Sequence, residues 1–105
     1  MNHTMKLNPL PFAQIRSGTK TIELRLNDEK RRQLRMGDTI TFTQTDSGET
    51  MTVRITALHS YPGFAELFAA LGTERCGGAV DMDRYYLPEL QRRYGALGIE
   101  ISTIL

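Results

Sequence analysis

The sequence predicts an α+β fold, a small mixed or antiparallel β-barrel with helices along its flanks. Four segments alternate apolar and polar residues with the period of two that is typical of strands. The helical segments between them are too few to connect a parallel sheet by crossovers. The chain has 105 residues, of which 40% are hydrophobic and 24% are charged. This length and composition predict a single folded domain over residues 1–105, with one core.

Strands are predicted wherever the alternation is regular. In segment 20–26, Ile22, Leu24 and Leu26 alternate with polar residues, which indicates a half-buried strand with one solvated face. In segment 50–58 the same alternation places Leu58 on the polar side. A turn signal lies at 46–49, so the second and third strands form a hairpin. The four predicted strands are 20–26, 39–45, 50–58 and 96–104.

Helices are predicted between these strands. Asn8 is suited to begin the first helix and Gly18 to end it. Met5 resembles an alternative start, so we expect the first few residues to be disordered. Residues 59–63 are predicted as a turn and 72–80 as a loop. The predicted helices are 8–17, 27–34, 64–71 and 81–94, the last in two pieces around a proline.

Charge and cysteine content limit the functions that are possible. The formal net charge is +1, so bulk charge cannot drive nucleic-acid binding and a local patch is needed. Cys76 is the single cysteine, which excludes an internal disulfide and fits a reducing compartment. No apolar run approaches the roughly 20 residues that span a bilayer. We therefore expect a cytoplasmic protein without membrane association, and neither a metal site nor a cofactor motif is evident. The oligomeric state stays open.

The stretch from Gly18 to Arg25 is the strongest candidate site. Glu23 and Arg25 share one strand face, about 6.5 Å apart along the strand, and Lys20 stands at its entrance. Such a set can hold a base, a ribose and a phosphate: the carboxylate accepts from an amine and the guanidinium grips phosphate. The alternative is a solvated face with an ordinary salt bridge.

Two further features can contribute to binding. The predicted helix 27–34 and the residues just after it offer phosphate contacts, although a solvated charged helix has the same composition. The adjacent Tyr85 and Tyr86 cannot both face the core, so one of them is expected at a cleft, where it can stack on a base. The basic residues of the first feature are Lys30, Arg31, Arg32 and Arg35.

Several stretches together resemble the ASCH domain of the PUA-like superfamily. They are 18–25 (GTKTIELR), 27–32 (NDEKRR), 37–42 (GDTITF), 60–64 (SYPGF), and 85–101, which includes YGALGIEI. The resemblance covers about residues 8–101 and implies a PUA-like β-barrel with a cleft over its mouth and an RNA-related role. It implies ligand contacts from Gly18, Lys20, Glu23 and Arg25, with Tyr61 and Phe64 as weaker candidates.

Three functions remain open on these grounds. The first is a binding module for RNA or a modified nucleoside. The alternative is a hydrolase, either a ribonuclease or an enzyme similar to the ASCH amidohydrolases of N4-acetylcytidine, with Lys20 and Glu23 as catalytic residues. In those amidohydrolases a lysine matching Lys20 activates a threonine, but Glu23 occupies the threonine position here, and a carboxylate is no ordinary acyl acceptor. The third function is a protein-interaction domain.

Overall fold

The computed structural model describes residues 1–104. Five strands form one sheet in the order β1-β3-β4-β5-β2, in which β1 pairs with β3 in parallel and all other neighbours are antiparallel. The sheet curls into a half-barrel. The strands are β1 (Asn2–Leu7), β2 (Ile22–Leu26), β3 (Thr39–Gln44), β4 (Thr50–Tyr61) and β5 (Ala96–Thr103), and the helices are α1 (Pro9–Ser17), α2 (Phe64–Leu71) and α3 (Pro88–Tyr94). The α+β prediction is confirmed.

Helix ends follow the local sequence rules. Gly18 ends α1 in the left-handed conformation, with φ of 86°, which glycine adopts without steric cost. Asp81 caps a short 3-10 turn by accepting from the main-chain N–H of Asp83. The segment 81–94 is divided as predicted, into the turn Met82–Arg84 and α3. Among residues 1–104, none of the helices has the length and apolar character to cross a membrane.

Both faces of the sheet are covered, so the molecule has two apolar clusters. One cluster fills the concave side, beneath α1, and includes Phe12, Ile40, Phe42, Ile55 and Ile99. The other lies between β2, α2 and the loop segments, and includes Ile22, Leu24, Phe64, Leu67 and Cys76. Burying apolar side chains from both faces is what allows a sheet of five short strands to be stable.

Five sequence predictions are wrong. The first residues are not disordered, because they form β1, whose Met5 and Leu7 are buried. β4 continues to Tyr61, although residues 59–63 were predicted to form a turn. A bulge between Ile55 and Ala57 shifts the apolar–polar alternation by one residue, so the strand pattern continues beyond it. The bulge also turns Leu58 toward the concave cluster. The predicted helix 27–34 is only a 3-10 turn, Arg31–Gln33. β2 is not half-buried, since Arg25 alone among its residues is partly exposed.

Candidate functional site

The site begins with β2, whose polar side chains face the inside of the half-barrel. Glu23 lies opposite Ile99, and Arg25 opposite Leu97, in the β2–β5 ladder. Residues directly opposite each other point to the same side of a sheet, and Leu97 and Ile99 belong to the concave cluster. The polar face of β2 is therefore enclosed, whereas the alternation alone predicted a solvated one.

Lys20, Glu23 and Arg25 form a buried ionic triad. The Lys20 Nζ lies 3.0 Å from one Glu23 carboxylate oxygen, and Arg25 Nη2 lies 2.8 Å from the other. Arg25 Nε donates to this second oxygen as well, over 3.1 Å. The side chains of Lys20, Glu23 and Arg25 are only 8%, 6% and 14% exposed. Two cations and one anion leave a net charge of +1 on the triad.

The carboxylate of Glu23 has no acceptor capacity left for a ligand. Its Oε1 is ion-paired with Lys20 Nζ and accepts, over 3.2 Å, from the main-chain N–H of Leu24, while Oε2 accepts twice from Arg25. These four contacts match the roughly four lone-pair positions of a carboxylate. Burial alone raises the pKa of Glu23, but the two neighbouring cations outweigh it and hold that pKa below its ordinary value. Glu23 is thus an ionised counterion within the wall.

The triad instead offers hydrogen-bond donors. Arg25 Nη2 also donates to the main-chain oxygen of Lys6, over 2.9 Å, but Nη1 of the same guanidinium makes no hydrogen bond to residues 1–104. The Lys20 ammonium, which is ion-paired with Glu23, carries three donors. Positive charge and free donors together select a ligand with carbonyl or phosphate oxygens.

The triad forms one wall of a cavity of about 450 Å³. β1, α1 and β2 surround it, and the segment 76–86 covers it from the other side. This volume lies in the range of small-molecule sites, about 300–1,000 Å³. The lining residues are Lys6, Leu7, Asn8, Leu10, Pro11, Gln14, Lys20, Glu23, Leu24, Arg25, Thr45, Cys76, Gly77, Val80, Met82, Tyr85 and Tyr86.

Main-chain hydrogen bonds fix the position of Lys20. Its N–H donates to the carbonyl oxygen of Gln14 at the end of α1, and the Gln14 side chain donates to the carbonyl oxygen of Gly77 over 3.2 Å. Gly77 has φ of 93°, and a Cβ there would lie 2.8 Å from Gln14 Oε1 and 3.2 Å from Lys20 Cδ. The backbone conformation therefore favours glycine, and an added Cβ would also push the Gln14 and Lys20 side chains aside.

The two tyrosines divide as the sequence suggested. Tyr85 lines the cavity and is 58% exposed, and Leu10, another lining residue, is 67% exposed. Tyr86 is half-buried and stacks on Phe64 with the ring centres 6.1 Å apart. Burial raises the pKa of the Tyr86 hydroxyl. Tyr85 is thus accessible from solvent, while Tyr86 is packed into the wall.

Three of the predicted contact residues lie outside this cavity. Gly18 ends α1, and its place there sets the direction in which the chain enters β2. Tyr61 and Phe64 pack in the second apolar cluster, where Phe64 is only 5% exposed. Sequence reasoning in turn missed Lys6, Gln14 and Gly77, because contacts between distant segments place them in the wall.

The predicted basic patch is divided by the fold. Arg31, Arg32 and Arg35 line a second cavity of about 250 Å³, whereas Lys30 is exposed and does not line it. Asp28 accepts from the main-chain N–H of Arg31 over 3.0 Å. We call this cavity the arginine pocket.

Neither Cys76 nor a metal supplies evident chemistry. The Cys76 side chain is fully buried, and burial raises the pKa of its thiol. Within residues 1–104, no three His, Cys, Asp or Glu side chains are grouped so that they could hold a metal ion. The polar groups that line the cavity most prominently are the ionic triad and the two tyrosines.

Comparison with solved structures defines the class of protein. The crystal structure of the hypothetical protein PH0355 superposes with a TM-score of 0.87 at 32% identity, covering 99% of this chain and 100% of that one. The solution structure of PF0455 from Pyrococcus furiosus gives 0.78 at 33% identity, with 99% and 98% covered. At 18% identity, an ASCH protein from Zymomonas mobilis shares the fold, with a TM-score of 0.60 and 95% and 66% covered. The fold is that of an α+β protein with a PUA-like barrel.

The family follows from the sequence match. Residues 5–104 match the model of the ASCH domain, which is nearly the whole chain. The chain belongs to the ASCH domain family, as its motifs suggested. Among curated proteins, none matches the sequence.

Proposed function

We propose that the cavity binds a nucleoside unit, either within single-stranded RNA or as a free modified nucleoside. The observation that carries the proposal is the saturated Glu23: because its oxygens are occupied, Lys20 and Arg25 present only donors to the cavity. Carbonyl oxygens of a base, an acyl substituent, or a phosphate oxygen satisfy these donors. The RNA-related role that the resemblance to ASCH domains implies points to the same ligand class.

The shape of the cavity supports a planar ligand. A volume of about 450 Å³ accommodates one nucleoside. Leu10 and Tyr85 line the cavity and are both exposed, so they offer apolar surface to a ligand that enters from solvent. A base entering between them stacks on Tyr85 while its oxygens reach Arg25, and every base offers such a π-face.

Hydrolysis is the less favoured alternative. A general base should have a pKa near the working pH, but Lys20 and Arg25 lower the pKa of Glu23. Thr19, the nearest hydroxyl before Lys20, is exposed and donates to the Gln14 carbonyl oxygen over 3.2 Å, so it is held outside the cavity. The triad therefore fits recognition better than bond cleavage.

A thermal-shift screen tests the proposal. Ribonucleosides, acylated nucleosides, nucleotides and short RNAs are each added to the wild-type protein, because a ligand that binds only the folded state raises the melting temperature. Stabilisation by at least one compound is expected, and no stabilisation by any of them contradicts the proposal. Each stabilising compound is then incubated with the protein and analysed for products. Turnover that disappears in Lys20→Ala supports the hydrolase instead.

A further inference from the structure

The arginine pocket contains more positive charge than its neighbours neutralise. Asp28 places a carboxylate beside the pocket, 3.4 Å from Arg31 Nη1. Within the described residues, Arg32 and Arg35 form no ion pair: Arg32 Nε donates to the main-chain oxygen of Asn27, and Arg35 Nη1 to that of Leu34. Three guanidinium groups and one carboxylate leave an excess of two positive charges around a cavity of about 250 Å³.

One donor of the pocket is buried without a partner. Arg31 Nε is inaccessible to solvent and makes no hydrogen bond within residues 1–104. Buried polar groups nearly always have a partner, so each exception calls for a physical explanation. An oxyanion in the pocket supplies the missing negative charge beside this buried cation, and phosphate suits guanidinium donors.

The arginine pocket adjoins the first cavity. Leu97 lines the pocket and is the ladder partner of Arg25, and Asn27, which also lines it, follows Arg25 by two positions. Two residues of a strand span about 6.5 Å. A short spacing of this kind suits neighbouring groups of one ligand.

We infer that the arginine pocket is a phosphate site, which binds the RNA backbone next to the nucleoside held in the first cavity. The inference rests on the proposed function, because it assigns the phosphate to the same single strand. It makes the ligand an RNA chain, since a free nucleoside occupies the first cavity alone. Phosphate contacts position a strand without reading its sequence, so the first cavity provides the selectivity.

Salt-dependent binding of a short single-stranded oligoribonucleotide tests the inference. Arg31→Gln and Arg35→Gln are compared with wild type, and Arg54→Gln is the matched control, since Arg54 also donates from Nη1 to a main-chain oxygen but lies outside both cavities. For single strands, each lost phosphate contact makes the negative slope of log K against log salt shallower by about 0.7. The inference expects this loss in both pocket variants with mononucleoside affinity unchanged. An unchanged slope in both variants overturns it.

A phosphate titration separates this inference from the proposed function. Inorganic phosphate is added while the Nε–H resonances of the arginines are followed by NMR. The inference expects a saturable shift for Arg31 and none for Arg54, and equal, non-saturable shifts at both contradict it. If Arg25→Ala leaves RNA affinity intact while Arg31→Gln lowers it, the proposed function fails and the phosphate site stands. If Arg25→Ala alone weakens binding, the phosphate site fails.

Discussion

Arg25 on one edge strand donates to the main-chain oxygen of Lys6 on the other, over 2.9 Å. β2 and β1 are the two edges of the sheet, so this bond links strands that no ladder joins. The same guanidinium holds Glu23 through Nε and Nη2. One side chain therefore closes the half-barrel, neutralises the buried carboxylate and leaves Nη1 for a ligand.

Replacement of the central carboxylate should destabilise the fold. In Glu23→Gln, Lys20 and Arg25 stay buried without their counterion. Removing one partner of a buried ion pair costs about 3–5 kcal/mol, and we expect an effect near the lower limit because Arg25 is partly exposed. Urea unfolding measures the loss, with Glu66→Gln as a control on the exposed surface of α2. Equal unfolding free energies for the two variants contradict the role assigned to Glu23.

The triad should also make stability depend on acid pH. The folded-state pKa of Glu23 lies below the ordinary value of 4.5, so the unfolded chain binds more protons in the interval between the two. The stabilisation by the ionised Glu23 is complete above pH 4.5 and is lost as the pH falls through the folded-state pKa. The free energy of unfolding is measured against pH, and the wild-type decrease below 4.5 should be smaller in Glu23→Gln.

A second carboxylate titrates in an overlapping range. The His3 hydrogen bond lowers the pKa of Asp38 from 3.8 to about 2, so its contribution is also lost as the pH falls through that interval. Asp38→Asn removes this contribution, and the Glu23-dependent decrease should persist in it. Identical pH profiles for wild type and Glu23→Gln contradict the account of the triad.

Gly77 should be sensitive to a single added methyl group. Gly77 and Gly48 both have positive φ, 93° and 74°, so alanine at either position costs roughly 1–2 kcal/mol of backbone strain. At Gly48 the added Cβ meets open space, but at Gly77 it meets Gln14 and Lys20. Gly77→Ala should therefore lose more unfolding free energy than Gly48→Ala and alone should weaken ligand binding. Equal effects on binding contradict the packing beside Lys20.

The two tyrosines should separate binding from stability. Tyr85→Ala removes an exposed ring, so the unfolding free energy should change by less than about 0.5 kcal/mol. Loss of a stacked base should weaken nucleoside or RNA binding by about 1–3 kcal/mol. Tyr86→Ala should instead lower the unfolding free energy by about 2 kcal/mol, because the stacking on Phe64 is lost. This loss is smaller than that for a fully buried ring, since Tyr86 is only half-buried. Unchanged affinity in Tyr85→Ala argues against stacking.

Elements with local signals could be predicted from the sequence. The alternation in 20–26 and 96–104 located β2 and β5, and Gly18 ends α1 as expected. β1 was missed because Asn2–Leu7 has only two buried apolar residues and pairs with a distant strand. The extension of β4 was missed because the bulge before Ala57 interrupts a strict period of two.

The site could be predicted in part, because the alternation within β2 is a local signal. Glu23 and Arg25 were placed on one strand face with Lys20 beside it, and the structure joins all three. The burial of that face depends on β1 and on the segment around Gly77, which approach from far along the chain. Sequence alone therefore could not show that Glu23 is saturated, and this fact changes it from a ligand contact into a counterion.

Binding of a short single-stranded RNA to Arg25 variants tests the central claim most directly. Fluorescence anisotropy measures RNA binding by Arg25→Ala and by Arg25→Lys, which keeps the charge but lacks Nη1. The control variant is Arg54→Ala, because Arg54 lies outside the cavity. A hydrogen bond to a charged group contributes about 1.5–3 kcal/mol. Both Arg25 variants should therefore bind roughly tenfold or more weakly than wild type, while Arg54→Ala changes little. Wild-type affinity in both Arg25 variants, with their folding verified by circular dichroism, contradicts the account.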